Sequence, residues 1–219
     1  DSDGDGTGGI RFGNYSQINS ANGSTSSAAI SGGGDLIFAG GTSTDSRGYP
    51  TGFAGRGTGS TDRSVQLAEL TGLYTGGGDL YMRGKAAGFG VVMWRGLEIF
   101  SGTGRIDIEG ESSATDTDYA GVAFVDTNYG GTGGPFTIVS AATSSPAVRL
   151  SGSATTGVAS LRLWGVGSAN VIQVLSTAES GGGIELSGRS AASSAVDIYL
   201  TRAQILSRNG SVTISGGVN

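Results

Sequence analysis

The chain has 219 residues, no cysteine, no histidine and a net charge of -5, which excludes a disulfide framework, a thiolate or structural zinc site and histidine-based nucleophile triads. The acidic balance argues against nucleic acid as a partner, because phosphate recognition requires a basic face, and no run of about 18 apolar residues is present to span a membrane. Glycine is the outlier, with 43 residues against an average usage near ~7%.

The chain opens with Asp1-Ser-Asp3-Gly-Asp5-Gly6, the first half of an EF-hand-type loop, with oxygen ligands at alternate positions and then the turn glycine. Phe12 stands where the bidentate Glu of such a loop belongs. Asp1, Asp3 and Asp5 are thus a candidate calcium half-site, and calcium is the one cofactor the sequence raises. The bland alternative is an acidic terminal segment, residues 1–7. Residue 1 is not Met and no signal peptide is visible, so a processed product or a piece of a longer chain is expected.

A repeated phrase follows. A glycine turn leads into a short strand with apolar residues at every second position, and a small residue closes it. The clearest copies are Gly34-Asp-Leu-Ile-Phe, Gly78-Asp-Leu-Tyr-Met-Arg-Gly84, Gly104-Arg-Ile-Asp-Ile-Glu-Gly110, Gly182-Gly-Ile-Glu-Leu-Ser-Gly188 and Gly210-Ser-Val-Thr-Ile-Ser-Gly216. Gly134-Pro-Phe-Thr-Ile-Val-Ser140 is a further copy, and looser copies begin at 8 and 159. Six of the seven spacings between copies lie between 23 and 30 residues, and the other is 44. A repeat of this size built of short strands predicts a β-solenoid, in which stacked turns bury a core that no single turn can bury.

Within each turn a second strand is predicted at Val65-Gln-Leu67, Val91-Val-Met93, Val122-Ala-Phe124, Val148-Arg-Leu150 and Val196-Asp-Ile198. A third, weaker apolar pair follows in Leu97-Glu-Ile-Phe100 and Ala203-Gln-Ile-Leu206. Helical readings of residues 63–70 and 199–206 lose to the strand template of the neighbouring turns. A β-sandwich, the rival fold, would need hairpin signals, and Asn-Gly occurs only at 22–23 and 209–210. The prediction is an all-β, single-domain parallel β-helix over residues 1–219, of about seven turns, with one inserted loop. Stacking in register at about 4.8 Å would place Asp79 beside Arg105, Arg83 beside Glu109 and Arg162 beside Glu185. One outward column would read Ile37, Tyr81, Asp107, Thr137, Arg162, Glu185, Thr213, which is no flat threonine array of the kind ice binding requires.

The spacing of 44 holds the insertion, residues 42–62. It carries Arg47, Tyr49, Phe53 and Arg56 in a polar, glycine-rich setting, and loops of this kind on solenoids are frequent binding elements. These four residues are the candidate partner-binding set; a loop folded over the coil is the alternative. For catalysis only carboxylates are available. Asp107, Glu109 and Glu111 share one outward edge, with Asp116 and Asp118 in the following loop, as a carboxylate-only glycan hydrolase would need. A solvated face with Glu109 paired to Arg83 is the simpler reading. Tyr81, Trp94 and Trp164 are candidate outward aromatics for stacking on sugars.

The Gly-Gly-x-Ile-x-Leu-x-Gly phrase, the serine- and threonine-rich corners and the Ala-Val-x-Ile strand together resemble the repetitive shafts of filamentous-haemagglutinin-like, two-partner-secreted adhesins, and more loosely autotransporter passengers. The resemblance implies a right-handed parallel β-helix, bacterial, secreted and displayed at the cell surface. The expectation is therefore a non-catalytic extracellular structural or adhesive solenoid. No amphipathic helix is predicted to cover the strand edges at either end. The expected partners are accordingly copies of itself, end to end, or the rest of a longer solenoid; glycans or a neighbouring cell surface come next. A polysaccharide-binding or polysaccharide-cleaving β-helix using its surface carboxylates is the alternative.

Overall fold

The structure is a computed structural model that describes residues 8–21, 32–55, 62–69, 71–114, 116, 118–126, 135–155, 159–166, 171–191 and 196–218. Among them there is no helix, and the chain coils as a parallel β-solenoid. The first rung is β1 (Ile10–Phe12), β2 (Gln17–Asn19) and β3 (Leu36–Phe38). A hairpin follows, β4 (Gly40–Thr44) and β5 (Pro50–Gly52). The second rung is β6 (Arg63–Leu67), β7 (Gly72–Tyr74) and β8 (Leu80–Ala86), and the third is β9 (Phe89–Trp94), β10 (Glu98–Phe100) and β11 (Ile106–Ser112). The fourth is β12 (Val122–Asp126), β13 (Phe136–Ser140) and β14 (Val148–Ala154), and the fifth is β15 (Leu161–Gly165), β16 (Ile172–Ser176) and β17 (Ile184–Ser190). The sixth is β18 (Ile198–Thr201), β19 (Ala203–Ser207) and β20 (Val212–Val218). The first, second and third strands of successive rungs form three parallel six-stranded sheets, here sheets 1, 2 and 3. At about 4.8 Å per rung, six rungs span roughly 24 Å.

Alternation builds the core. Leu80, Met82, Ile106, Ile108, Leu150 and Leu186 of sheet 3 point inward and are fully or almost fully buried. They meet Leu67, Val91, Phe124 and Leu163 of sheet 1 and Leu73, Ile99, Ile138 and Val174 of sheet 2 in one continuous cluster. Phe124 and Phe136 pack edge to face within it, with ring centroids 5.7 Å apart. Stacking identical positions lets each apolar side chain cover its neighbour, which removes apolar area from water rung after rung.

Two small-residue columns shape the corners. Near the end of each long strand in sheet 3 stands a glycine: Gly84, Gly110, Gly152, Gly188, Gly216. A Cβ on Gly110 would lie 2.0 Å from the carbonyl oxygen of Gly121, and one on Gly152 would lie 1.9 Å from that of Ser160. The chain folds back into sheet 1 at this point, so only glycine fits. At the corner from sheet 2 to sheet 3, hydroxyls serve the backbone: Ser101 Oγ donates to Gly104 O at 2.7 Å, and Thr75 makes the equivalent bond to Gly78 one rung earlier. Buried carbonyls are thereby satisfied without a ladder partner.

Four predicted strands shift sheet. Those at 8 and 159 belong to sheet 1 as β1 and β15, that at 134 to sheet 2 as β13, and Val148-Arg-Leu150 to sheet 3 as part of β14. Successive strands of sheet 3 start at 36, 80, 106, 148, 184 and 212. The corners vary far more in length than the strands, and that makes all three strand types look alike when read by spacing alone. Residues 63–67 and the 198–207 region are strands, as the template reading holds. The insertion is an antiparallel hairpin, β4 with β5, starting two residues before 42.

Candidate functional site

The outer face of sheet 3 carries most of the charged side chains singled out above. Its first outward column is Ile37, Tyr81, Asp107, Arg149, Glu185, Thr213. Thr137 and Arg162 do not belong to it. Arg162 lies in sheet 1 between Ala123 and Tyr199, while Glu185 lies in sheet 3 between Arg149 and Thr213, so the expected Arg162–Glu185 pair does not form. The misplacement follows from assigning residues 159–165 to the wrong sheet. The second column is Arg83, Glu109, Ser151, Ser187, Ser215, and the third is Lys85, Glu111, Ser153, Arg189, Gly217.

In-register stacking sets opposite charges side by side. Arg83 meets Glu109 at 3.0 Å, as expected, and Lys85 pairs with Glu111. Arg149 reaches across both columns, to Asp107 at 2.9 Å and Glu109 at 3.4 Å. Each of the three clustered carboxylates is thus held by a cation. Burial works most strongly against the charge on Arg83, but the hydrogen bond and charge of Glu109, with those of Tyr81, together outweigh it and hold the guanidinium pKa above its ordinary value. The expected Asp79–Arg105 ion pair takes another form. Asp79 Oδ1 accepts the Arg105 backbone N–H at 2.8 Å, and Asp35 Oδ1 accepts the Asp79 N–H at 2.7 Å one rung earlier.

The hairpin closes over the first rungs of this face. Its turn is an Asx turn, in which Asp45 Oδ1 accepts the N–H groups of Arg47 and Tyr49. The Arg47 guanidinium lies 4.4 Å over the Tyr49 ring and 5.4 Å over that of Tyr81, and its charge faces Asp45 and Asp79. Tyr49 is buried, with its hydroxyl donating to Asp35 Oδ2 at 2.6 Å. Burial first, and that bond second, raise its pKa. Phe53 lies under Arg83, 4.3 Å from ring centroid to guanidinium. Arg47, Tyr49 and Phe53 therefore meet on the coil's own surface. Arg56, like Asp1, Asp3 and Asp5, lies outside the described residues, among which no group of three or more carboxylates could hold a metal ion.

Beyond the hairpin the same face is open. A groove of about 660 Å³ runs across β11, β14, β17 and β20, lined by Glu109, Glu111, Arg149, Glu185, Arg189 and the serines of the second column. Ser187 and Ser151 are hydrogen-bonded at 3.0 Å. The groove is mainly polar, with no aromatic in its wall. Tyr81 is buried beneath the hairpin. Trp94 and Trp164 lie on the outer face of sheet 1, half-buried against Phe89, Val92 and Val125. Asp118 of the following loop accepts from Arg162 through its carbonyl at 3.1 Å.

A second surface was not visible from single-residue motifs. In the sixth rung, side chains at core positions stay exposed: Leu200 by 37%, Val212 by 41% and Ile214 by 52%. Among the described residues nothing pairs with the outer edges of β18, β19 and β20, or with those of β1, β2 and β3. The first rung presents Ile10, Phe12, Ile18, Leu36 and Phe38 half-buried. A row of unpaired backbone groups over apolar side chains is a template for another strand. Compared with known proteins, the chain matches no protein family, no curated protein and no solved structure.

Proposed function

We propose that the chain is a non-catalytic structural or adhesive element of a bacterial extracellular surface, a stiff rod that stacks end-on with further parallel β-structure. The observation that supports this reading is the sixth rung, whose three parallel edges and exposed core residues fit the addition of a seventh. The repeat, which resembles the shafts of filamentous-haemagglutinin-like adhesins, agrees with it. Each carboxylate of the 107–111 cluster is engaged by a cation, which favours a load-carrying face over an acid–base pair.

The test is sedimentation velocity and negative-stain microscopy of the purified chain over a wide concentration range. Rods longer than one coil that shorten on dilution, and that Ile205→Lys abolishes, are the expected result. A single short coil at every concentration would overturn the stacking role.

The open groove favours a second reading, a polysaccharide laid along the coil axis over Ser151, Ser187 and Ser215. Its polar wall offers hydroxyls and charges at rung spacing. Binding of soluble glycans lost on Ser187→Trp would support it, and equal binding by both proteins would remove it.

A further inference from the structure

The outward columns of the coil do more than leave an edge open; they specify what fits there. Resting on the stacking role proposed above, we infer that the partner of the sixth rung is the first rung of a second copy, joined head to tail with every column continued in register.

The columns of each sheet connect rung to rung, so the first-rung residue that would meet each last-rung residue is known. In the core, Leu200 shares its column with Phe12, Ile205 with Ile18 and Ile214 with Phe38. All three joins, one per sheet, are apolar on apolar, and each side is partly exposed in the single chain. No charge is placed inside the joint.

Two of the outer columns add a further signal, because they continue chemistry already present inside the coil. In sheet 2, Gln173 Nε2 donates to Gln204 Oε1 at 3.0 Å, between the fifth and sixth rungs. The first-rung residue of that column is Gln17. A second copy would extend the pair to a ladder of three amides, each donating to the next as side-chain amides do in stacked parallel strands. In sheet 1, the Arg162 guanidinium lies 5.9 Å from the Tyr199 ring. The first-rung residue of that column is Arg11. The joint would set Arg11 on the face of Tyr199 opposite Arg162, a ring between two guanidinium groups. No like charges meet in either column. Such a contact is heterologous and does not close on itself, so its product is a filament.

The chain has no cysteine, which makes the register readable by cross-linking. Gln17 and Gln204 are both exposed, so replacing them leaves the core intact, and a melting curve checks this. Neighbouring parallel strands bring Cα atoms within disulfide reach. Gln17→Cys/Gln204→Cys is expected to give a ladder of covalent multimers on mild oxidation or with a short bis-maleimide. Gln17→Cys/Thr213→Cys, which pairs sheet 2 with sheet 3, is expected to give none. Multimers that cross-link through Gln204→Cys alone would overturn the head-to-tail register while leaving stacking in place. Multimers in which neither design links would do the same. A chain that stays single under all conditions would overturn the stacking role as well.

Discussion

Arg149 Nε donates to Asp107 Oδ1 at 2.9 Å, across the step from β14 to β11, and the carboxylate it holds is only 8% exposed. The same guanidinium turns its other arm to Glu109. One cation thus neutralises a buried and a half-buried acid on neighbouring columns.

Removing that cation leaves a buried charge uncompensated. Arg149→Met is expected to destabilise the coil by about 3 kcal/mol in chemical denaturation. Arg208→Met, which breaks the highly exposed pair with Glu179, is expected to change stability by less than about 1 kcal/mol. Equal effects would mean that the sheet 3 network is solvated as freely as the rim.

The glycines that end the sheet 3 strands make a sharper steric prediction. Gly110→Ala and Gly152→Ala drive a methyl group into a backbone carbonyl at 2.0 and 1.9 Å, with no flexible side chain to yield. Each is expected to cost about 1–3 kcal/mol, the range for overpacking. Gly34→Ala is the control, since nothing lies within 4 Å of its Cβ position; it is expected to be neutral or slightly stabilising. Thermal melts of the three variants decide it.

Much of this was legible in the residues. The apolar pairs Leu80/Met82, Ile106/Ile108 and Ile184/Leu186 predict strands of one sheet because their glycines keep the same offset. The Arg83–Glu109 pair followed from stacking those strands in register. Phase was lost where the same cue serves two sheets: Leu161-Arg-Leu163 has the apolar alternation of Ile184-Glu-Leu186 and, in Gly165, the same glycine two residues on, yet it belongs to sheet 1. The site was less legible than the fold. Arg47, Tyr49 and Phe53 look like a binding loop because they are aromatic and basic, and in the coil they also meet Tyr81, Asp35 and Arg83 of the same chain. Nothing local announces such a match, since Asp35 and Tyr81 meet the hairpin only after the coil has wound. The regular cue that went unread was Ser or Thr three residues before a turn glycine, as in Ser101 and Gly104.

One hydroxyl ties the buried tyrosine of the hairpin to the coil. Tyr49→Phe removes the bond to the Asp35 carboxylate, and hydrogen bonds to charged groups contribute about 1.5–3 kcal/mol. Trypsin is expected to cut after Arg47 faster in this variant, while the core melts at nearly the same temperature. The pH dependence has a defined sign. The folded pKa of Tyr49 is raised, so the stabilisation is complete below the free phenol value near ~10 and is lost as pH rises through the folded value. Phenolate absorbance titrated alongside trypsin cleavage reads both. A cleavage rate unchanged in Tyr49→Phe would mean that Arg47 and Phe53 hold the hairpin without it.

Asp126 is the residue most at odds with its surroundings. It ends β12, is fully buried, and neither carboxylate oxygen has a hydrogen-bond partner among the described residues. Arg95 is the nearest cation by column, but its guanidinium is bound to Glu69 at 2.7 Å. Burial raises the Asp126 pKa, and Arg95 offsets this only in part. A raised carboxylate pKa means that the folded state prefers the neutral acid. That preference supports folding fully below the unfolded value near ~3.9 and is lost as pH rises through the folded value. At neutral pH Asp126 therefore works against the fold. Asp126→Asn is expected to be more stable than the parent at pH 7, by on the order of 1 kcal/mol, and the gap is expected to close by about pH 4. Urea denaturation at the two pH values measures it. A variant weaker than the parent at pH 7 would show that the charge is met by a partner that pairs with it in solution, and Asp126 would then be a site that holds something rather than a strained corner.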